Sequence, residues 1–308
     1  MKIKKPSFWD KNYLTFFSII LWPLSFIYKF LLLIRKSTSN EKQFSKPIIC
    51  IGNIYIGGTG KTPISIKIFE IFKKEKNPVV IRKKYDDQID EVEIIKKYAR
   101  VIIDSDRSVG IQKAIDKNHD LIILDDGFQD LSIKKNLNII CFNSRQKIGN
   151  GLVIPSGPLR ESLSALKESK IVLINGKKDI EFEQKLKKYN HKLKFFYFKY
   201  ELKNINEFKN KKLICFAGIG NPENFFYILR ENRLNIVREI KFPDHYKFTQ
   251  KDFEYLIELE KKYNGKLVTT EKDFYRISPF ERKRFGMIPI KLKIEKEEVF
   301  IKFLKECI

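Results

Sequence analysis

The chain has 308 residues, 43% of them hydrophobic, enough for two domains or one large one with a sizeable core. Its formal net charge of +23, from 61 Lys+Arg against 38 Asp+Glu, favours acidic partners, but lysine is spread along the whole chain. No basic stripe interleaved with aromatics marks a nucleic-acid reader, and neither the dispersed Cys50, Cys141, Cys215 and Cys307 nor the scattered His119, His191 and His245 has zinc-site spacing, so reduced thiols in a cytosolic compartment are expected.

The N-terminus is apolar and aromatic. Asn12 to Tyr28 carries no charge, a little short of the ~20 residues that cross a bilayer. Lys29 can snorkel, and Phe30 to Ile34 would then extend the run. Trp9, Tyr13, Trp22 and Tyr28 suit a membrane interface, and Pro23 predicts a kink. Basic residues flank both ends, so charge sets no orientation. No small-residue cleavage site follows, which argues against a signal peptide. A spanning helix, a helix lying in the interface and a buried core helix all stay open. Residues 1–36 are read as an N-terminal membrane-associated helix.

Ser37 to Lys46 is polar and reads as a linker. From Pro47 short apolar runs alternate with helical patterns. Strands are expected at Ile48–Ile51, Pro78–Ile81, Val101–Ile103, Leu121–Leu124, Leu137–Phe142 and Lys170–Ile174, and helices at Thr62–Lys74, Glu91–Tyr98 and Arg107–Lys117. That order predicts an α/β, doubly wound, mostly parallel sheet over residues 37–190, with ligands at the C-terminal ends of its strands. A smaller α/β lobe is expected over 191–308. Its strands are Lys192–Tyr200, Leu213–Ala217, Ile236–Lys241, Lys266–Thr269 and Ile288–Ile294. Thr249 and Asp252 form a capping signal before a helix at Phe253–Tyr263.

Two strand ends carry chemistry. After Ile48–Ile51 comes a glycine-rich loop, and Gly60-Lys61-Thr62 opens a helix. Backbone N–H groups of Gly57, Gly58, Thr59 and Gly60 can surround phosphates, Lys61 adds positive charge, and the Thr62 hydroxyl can hold Mg²⁺. Tyr55 stands where the strict phosphate-loop pattern has glycine; the plainer alternative is a Gly-rich turn beside a chance Lys-Thr. After Leu121–Leu124 comes Asp125-Asp126-Gly127. An acid at that strand tip can hold the Mg²⁺ that bridges phosphates, and the alternative is an Asp-Gly turn. The guanine-specific signature is absent, since Thr270-Glu271-Lys272-Asp273 has the wrong order, and so is the lysine that one type of switch ATPase carries just before the glycine pair, where Ile56 stands; both lower the switch-ATPase reading without excluding it.

Seven motifs in order then resemble the tetraacyldisaccharide 4'-kinase family, over most of the chain. They are Gly52-Asn-Ile-Tyr-Ile-Gly-Gly-Thr-Gly-Lys-Thr-Pro63, the acidic pair Asp90-Glu91, Asp125-Asp-Gly-Phe-Gln129, Pro155-Ser-Gly-Pro-Leu-Arg-Glu161, Phe216-Ala-Gly-Ile-Gly-Asn-Pro222, Phe242-Pro-Asp-His-Tyr246 and Thr269-Thr-Glu-Lys-Asp273. Two departures stand out. The family's SRGYG after the second strand is here Arg82-Lys83-Lys84-Tyr85-Asp86, and Asp130 replaces the histidine after the DDGxQ motif.

The resemblance implies ATP-dependent phosphorylation of the 4'-hydroxyl of a tetraacylated glucosamine disaccharide 1-phosphate, forming lipid IVA. It implies ATP and Mg²⁺ as cofactors, an acylated phosphoglycolipid substrate and contact with inner-membrane lipids at the cytoplasmic face, with no nucleic acid and no obligate protein partner. It assigns Asp90 as the proton acceptor aided by His245, Thr62, Asp125 and Asp126 to the metal, and Arg160 to a phosphate. Taken alone, Asp90 also reads as a helix N-cap or solvated acid, His245 as a surface turn residue and Arg160 as a surface ion pair. The alternative function is a membrane-bound P-loop ATPase that switches a protein partner.

Overall fold

The computed structural model describes residues 6–85, 89–244 and 246–308, with the Ile89 side chain excepted. They form two compact units. The first comprises Met1–Lys84, Ala99–Lys199 and Ile294–Ile308, and the second Tyr85–Tyr98 and Tyr200–Lys293.

In chain order the elements are α1 (Phe16–Ile20), α2 (Trp22–Thr38), β1 (Ile48–Gly52), α3 (Lys61–Phe72), β2 (Pro78–Lys83), α4 (Ile89–Tyr98), β3 (Val101–Asp104), α5 (Arg107–Asp116), β4 (Leu121–Asp125), β5 (Leu137–Asn143), β6 (Ile171–Asn175), α6 (Ile180–Lys187), β7 (Lys194–Leu202), β8 (Leu213–Ala217), α7 (Pro222–Glu231), β9 (Ile236–Lys241), α8 (Gln250–Tyr263), β10 (Lys266–Thr270), α9 (Glu271–Arg276), α10 (Pro279–Arg282), β11 (Gly286–Ile288), β12 (Ile290–Ile294) and α11 (Glu297–Glu306).

The larger sheet has eight strands in the order β12-β7-β6-β5-β1-β4-β2-β3, and every pairing from β7 to β3 is parallel. β7 and β12 carry the chain between the units. The central strands β1, β4 and β5 are buried along their whole length, which their continuous Ile-rich runs require of a sheet covered on both faces. The pairing of β1 with β4 sets Ile51 opposite Asp125. The glycine-rich loop and the acidic turn therefore leave the sheet side by side, at the C-terminal strand ends.

The second unit is built on a four-stranded parallel sheet, β11-β10-β8-β9. Phe216 lies at the centre of an aromatic cluster with Phe242, Phe248 and Phe285, their ring centroids 5.4–6.3 Å from its own. The capping box at Thr249 and Asp252 is formed at the start of α8.

The chain passes from the first unit to the second at 199–200, and two segments belong to a different unit from their neighbours in sequence. Helix α4 sits between β2 and β3 in sequence but belongs to the second unit. Ion pairs and a hydrogen bond to α9 hold it there: Lys97 Nζ and Tyr98 OH both donate to Glu271 Oε1, at 2.8 and 2.9 Å, and Lys272 pairs with Glu91. Helix α11 returns to the first unit, where Phe300 packs edge-on against Phe196 and Glu297 pairs with Lys67.

The N-terminal segment forms two helices. Pro23 does not kink a longer helix; it lies in the first turn of α2, where its missing N–H leaves no bond unmade. Helix α2 has 17 residues, and among the described residues no helix is long and apolar enough to cross a membrane. The core-helix reading fails as well, because the polarity is inverted. Ser18 and Ser25 are buried. Ser25 Oγ donates to Val153 O and bonds Ser156 Oγ, both at 2.8 Å, and Tyr28 OH donates to Arg160 O at 3.1 Å. Fourteen large apolar residues between Tyr13 and Ile34, Phe26 at 70% exposure among them, face outward.

Candidate phosphate and metal site

Strand β1 ends at Gly52, where a Cβ would stand 2.3 Å from Phe128 Cβ, so a side chain there would push the loop and the acidic turn apart. The chain then runs antiparallel to the Pro158–Arg160 segment. Arg160 N donates to Ile54 O at 2.7 Å, Ile56 N donates to Pro158 O at 2.8 Å, and Tyr55 bridges Leu159. Tyr55 is buried in the core with its hydroxyl on Asp10. This explains the non-glycine at 55: that leg is extended backbone, and its side chain is a core anchor. The turn proper needs glycine only later, at Gly57 (φ 126°) and Gly60 (φ 88°).

Asn53 holds the loop's shape from inside. Its Nδ2 donates to Tyr55 O, Gly57 O and Thr59 Oγ1 at 2.6, 3.2 and 3.0 Å. Gly60 is the N-cap of α3 and has no side chain to cap it, so first-turn N–H groups are left for an anion.

The paired acids have different surroundings. Asp125 is fully buried and accepts from Thr62 Oγ1 at 3.2 Å, from Ser65 Oγ at 2.8 Å and from the Arg82 guanidinium. Removing either member of the buried Arg82–Asp125 pair would strand a charge, at a cost of about 3–5 kcal/mol. Asp126 has a left-handed backbone (φ 54°) and turns the other way, with Lys61 Nζ 3.7 Å and Arg160 Nη1 2.9 Å from its Oδ1. Burial pushes its carboxyl up, but Lys61 and Arg160 outweigh that and hold it below the usual carboxylate range.

Gln129 ties the motifs together. Its Nε2 donates to Asn53 O at 2.9 Å and Glu161 Oε1 at 2.7 Å, and its Oε1 accepts from Arg160 Nη1 at 3.1 Å. Burial raises the Glu161 carboxyl.

Asp126 sets an expected pH effect. A depressed carboxyl contributes stability above its unfolded pKa and loses it as pH falls through the lower folded value. Replacing Arg160 with glutamine removes one of the three cations, beside Lys61 and Arg82, that lower it. The acid limb of the stability profile is expected to move to higher pH in R160Q, as measured by denaturant unfolding across pH. An unmoved limb would show that Arg160 does not set this carboxyl.

Asp90 lies in the second unit and is 2% exposed. Arg276 donates to its Oδ2 from Nη2 at 2.6 Å and from Nε at 3.1 Å, and Lys272 Nζ stands 3.9 Å away. Arg276 Nη1 donates to Asp273 Oδ1 at 2.9 Å and to Gly218 O at 2.5 Å. Asp273 accepts from Gly218 N at 3.0 Å and Thr270 Oγ1 at 2.7 Å. Burial raises the Asp273 carboxyl even against Arg276. The loop after β8 and the helix after β10 are thus joined behind Asp90. His245 lies outside the described residues.

The first unit therefore brings together Gly57, Gly58, Thr59, Gly60, Lys61, Thr62, Asp125, Asp126 and Arg160. Sequence reasoning gave no role to Asn53, Arg82, Gln129 or Arg276. Asn53 and Gln129 stood inside quoted motifs and Arg82 inside a quoted departure from one, whereas no pattern marked Arg276; the partners of Arg82 and Arg276 are 43 and 186 residues away. No cluster of three or more His, Cys, Asp or Glu side chains that could hold a metal occurs among the described residues. Thr62 and Asp125 nevertheless supply hard oxygens from the loop and the neighbouring strand, a donor set that suits Mg²⁺, which completes its shell with water and substrate phosphates.

A family model described as Tetraacyldisaccharide-1-P 4'-kinase matches residues 17–308. The chain belongs to this family. A Tetraacyldisaccharide 4'-kinase of Pelagibacter ubique (strain HTCC1062) is 40% identical over 304 residues, covering 97% of this chain and 96% of the relative. One of Rickettsia typhi (strain ATCC VR-144 / Wilmington) is 32% identical over 303 residues, covering 92% of each. The crystal structure of LpxK from Aquifex aeolicus in complex with ATP superposes with a TM-score of 0.70 at 22% identity, covering 94% of this chain and 99% of that one, a likeness of fold.

Proposed function

We propose that this chain transfers the γ-phosphoryl group of ATP to the 4'-hydroxyl of tetraacyldisaccharide 1-phosphate, producing lipid IVA. The observation that carries the reading is the convergence of the phosphate loop, the acidic turn and Arg160 in a chain of this family. Lys61 and the loop N–H groups hold and orient the β- and γ-phosphates. Thr62 and Asp125 would hold Mg²⁺, with Asp126 close by; the bound ion would neutralise charge on the phosphates. Arg160 steadies a phosphate against the Asp126 side. Asp90 accepts the proton of the sugar hydroxyl, and Arg276 fixes its carboxylate. His245 assists Asp90 as the resemblance implies. The test is to supply the detergent-solubilised protein with γ-labelled ATP, Mg²⁺ and tetraacyldisaccharide 1-phosphate. Label in the lipid supports the reading; phosphate released only to water would sink it.

The N-terminal helices place the protein at the membrane in this reading. Their outward apolar face is that of an interfacial helix, docked on the protein by its serines and bordered by Lys29, Arg35 and Lys36. Burying one such side chain fully is worth about 1.5–3 kcal/mol, so two charges on this face outweigh much of the attraction. Phe26→Glu with Leu33→Glu is expected to lower sedimentation with anionic lipid vesicles at least tenfold, with the melting temperature unchanged because both residues are exposed. Binding equal to wild type would place the membrane contact elsewhere.

A further inference from the structure

Arg82 ends up where a metal ion is needed. It lies on β2 in register with Asp125 of β4, so its side chain starts one strand spacing from that carboxylate. Its Nη1 pairs with Asp125 Oδ2 and lies 3.4 Å from Thr62 Oγ1. Those are the two oxygens assigned above to Mg²⁺. Arg82 is 4% exposed and Asp125 fully buried, so this is no mobile surface pair. A carboxylate in such a place needs a cation at all times, and here the chain supplies its own.

We propose that Arg82 is a resident cation that competes with Mg²⁺ for Asp125 and Thr62. In the nucleotide-free protein the guanidinium neutralises Asp125 and keeps the loop threonine and the acidic strand together. Metal entry then exchanges one cation for another at Asp125 Oδ2, so the site takes metal weakly by itself and well only when phosphates add ligands. The inference rests on the metal reading of Thr62 and Asp125, and the test separates the two.

Mn²⁺ binding to the full-length protein in detergent, without nucleotide, would be titrated by electron paramagnetic resonance for wild type, R82Q, R82K and D125N. Mg²⁺-dependent melting would be recorded in parallel. The expected result is at least tenfold tighter Mn²⁺ binding in R82Q, an intermediate value in R82K, and loss of binding in D125N. R82Q should melt several degrees below wild type without metal and recover on adding Mg²⁺, whereas wild type should respond little. Equal affinity in wild type and R82Q, with binding lost in D125N, overturns the competition and leaves the metal reading standing. Unchanged affinity in D125N overturns the metal reading and the competition with it. Should R82Q not fold, R82K carries the test, and an affinity equal to wild type overturns the proposal.

Discussion

Asp90→Asn is expected to lower phosphoryl transfer to the lipid by about 10²–10⁴-fold, the range over which a positioned general base acts, while ATP binding stays at the wild-type level. The substitution preserves shape but removes the ability to take a proton. Its structural cost should be small. Asp90 is buried, yet Arg276 keeps its bonds to Asp273 and to Gly218 O, so no guanidinium is stranded. Arg276→Met is the contrasting change. It leaves two buried carboxylates, Asp90 and Asp273, without their shared cation, and a loss of about 3–5 kcal/mol in unfolding free energy is expected. Single-turnover transfer assays and denaturant unfolding of both variants distinguish the roles. Transfer by D90N within tenfold of wild type would remove Asp90 as the proton acceptor.

Lys61→Ala is expected to lower kcat by about 10²–10³-fold, as the loss of one preorganised charge-stabilising donor does elsewhere. Lys61 opens α3 beside the loop and reaches Asp126 at 3.7 Å, a distance at which it orients the acid more than it bonds it. Arg160 remains on Asp126 at 2.9 Å, so the fold should hold and the melting temperature should change little. The Asp126 carboxyl should rise, because Lys61 is the foremost cation lowering it. Rapid-quench transfer and calorimetric melting of K61A read both effects. Near-normal transfer would show that the glycine-rich loop is a structural turn and that the phosphates bind elsewhere.

Much of this was legible in the chain itself. Continuous apolar runs such as Ile48–Gly52 and Leu121–Asp125 identify buried parallel strands because only such strands hide both faces. The loop was legible because its shape depends on local backbone: Gly57 and Gly60 hold positive φ, and Lys61-Thr62 opens a helix. The N-terminal segment could be read as apolar, but its mode could not. Its two serines gained meaning only when they were seen pointing inward against Val153 and Ser156.

Residue spacing along the chain therefore determined the strand-loop-helix order, the glycine-rich loop, the acidic strand tip and the family. Each depends on interactions within a few residues or on a motif kept as a unit. Tertiary structure alone decided the rest: that β1 lies next to β4 and β4 next to β2, which brings Arg82 onto Asp125; that Tyr55 is a core anchor; and that α4 leaves its neighbours in sequence to join the second unit. These are pairings between charges and backbones 43 to 186 residues apart, and sequence periodicity carries no signal for them. Buried charge must be neutralised wherever the fold puts it, so strand order, not local pattern, chose the partners.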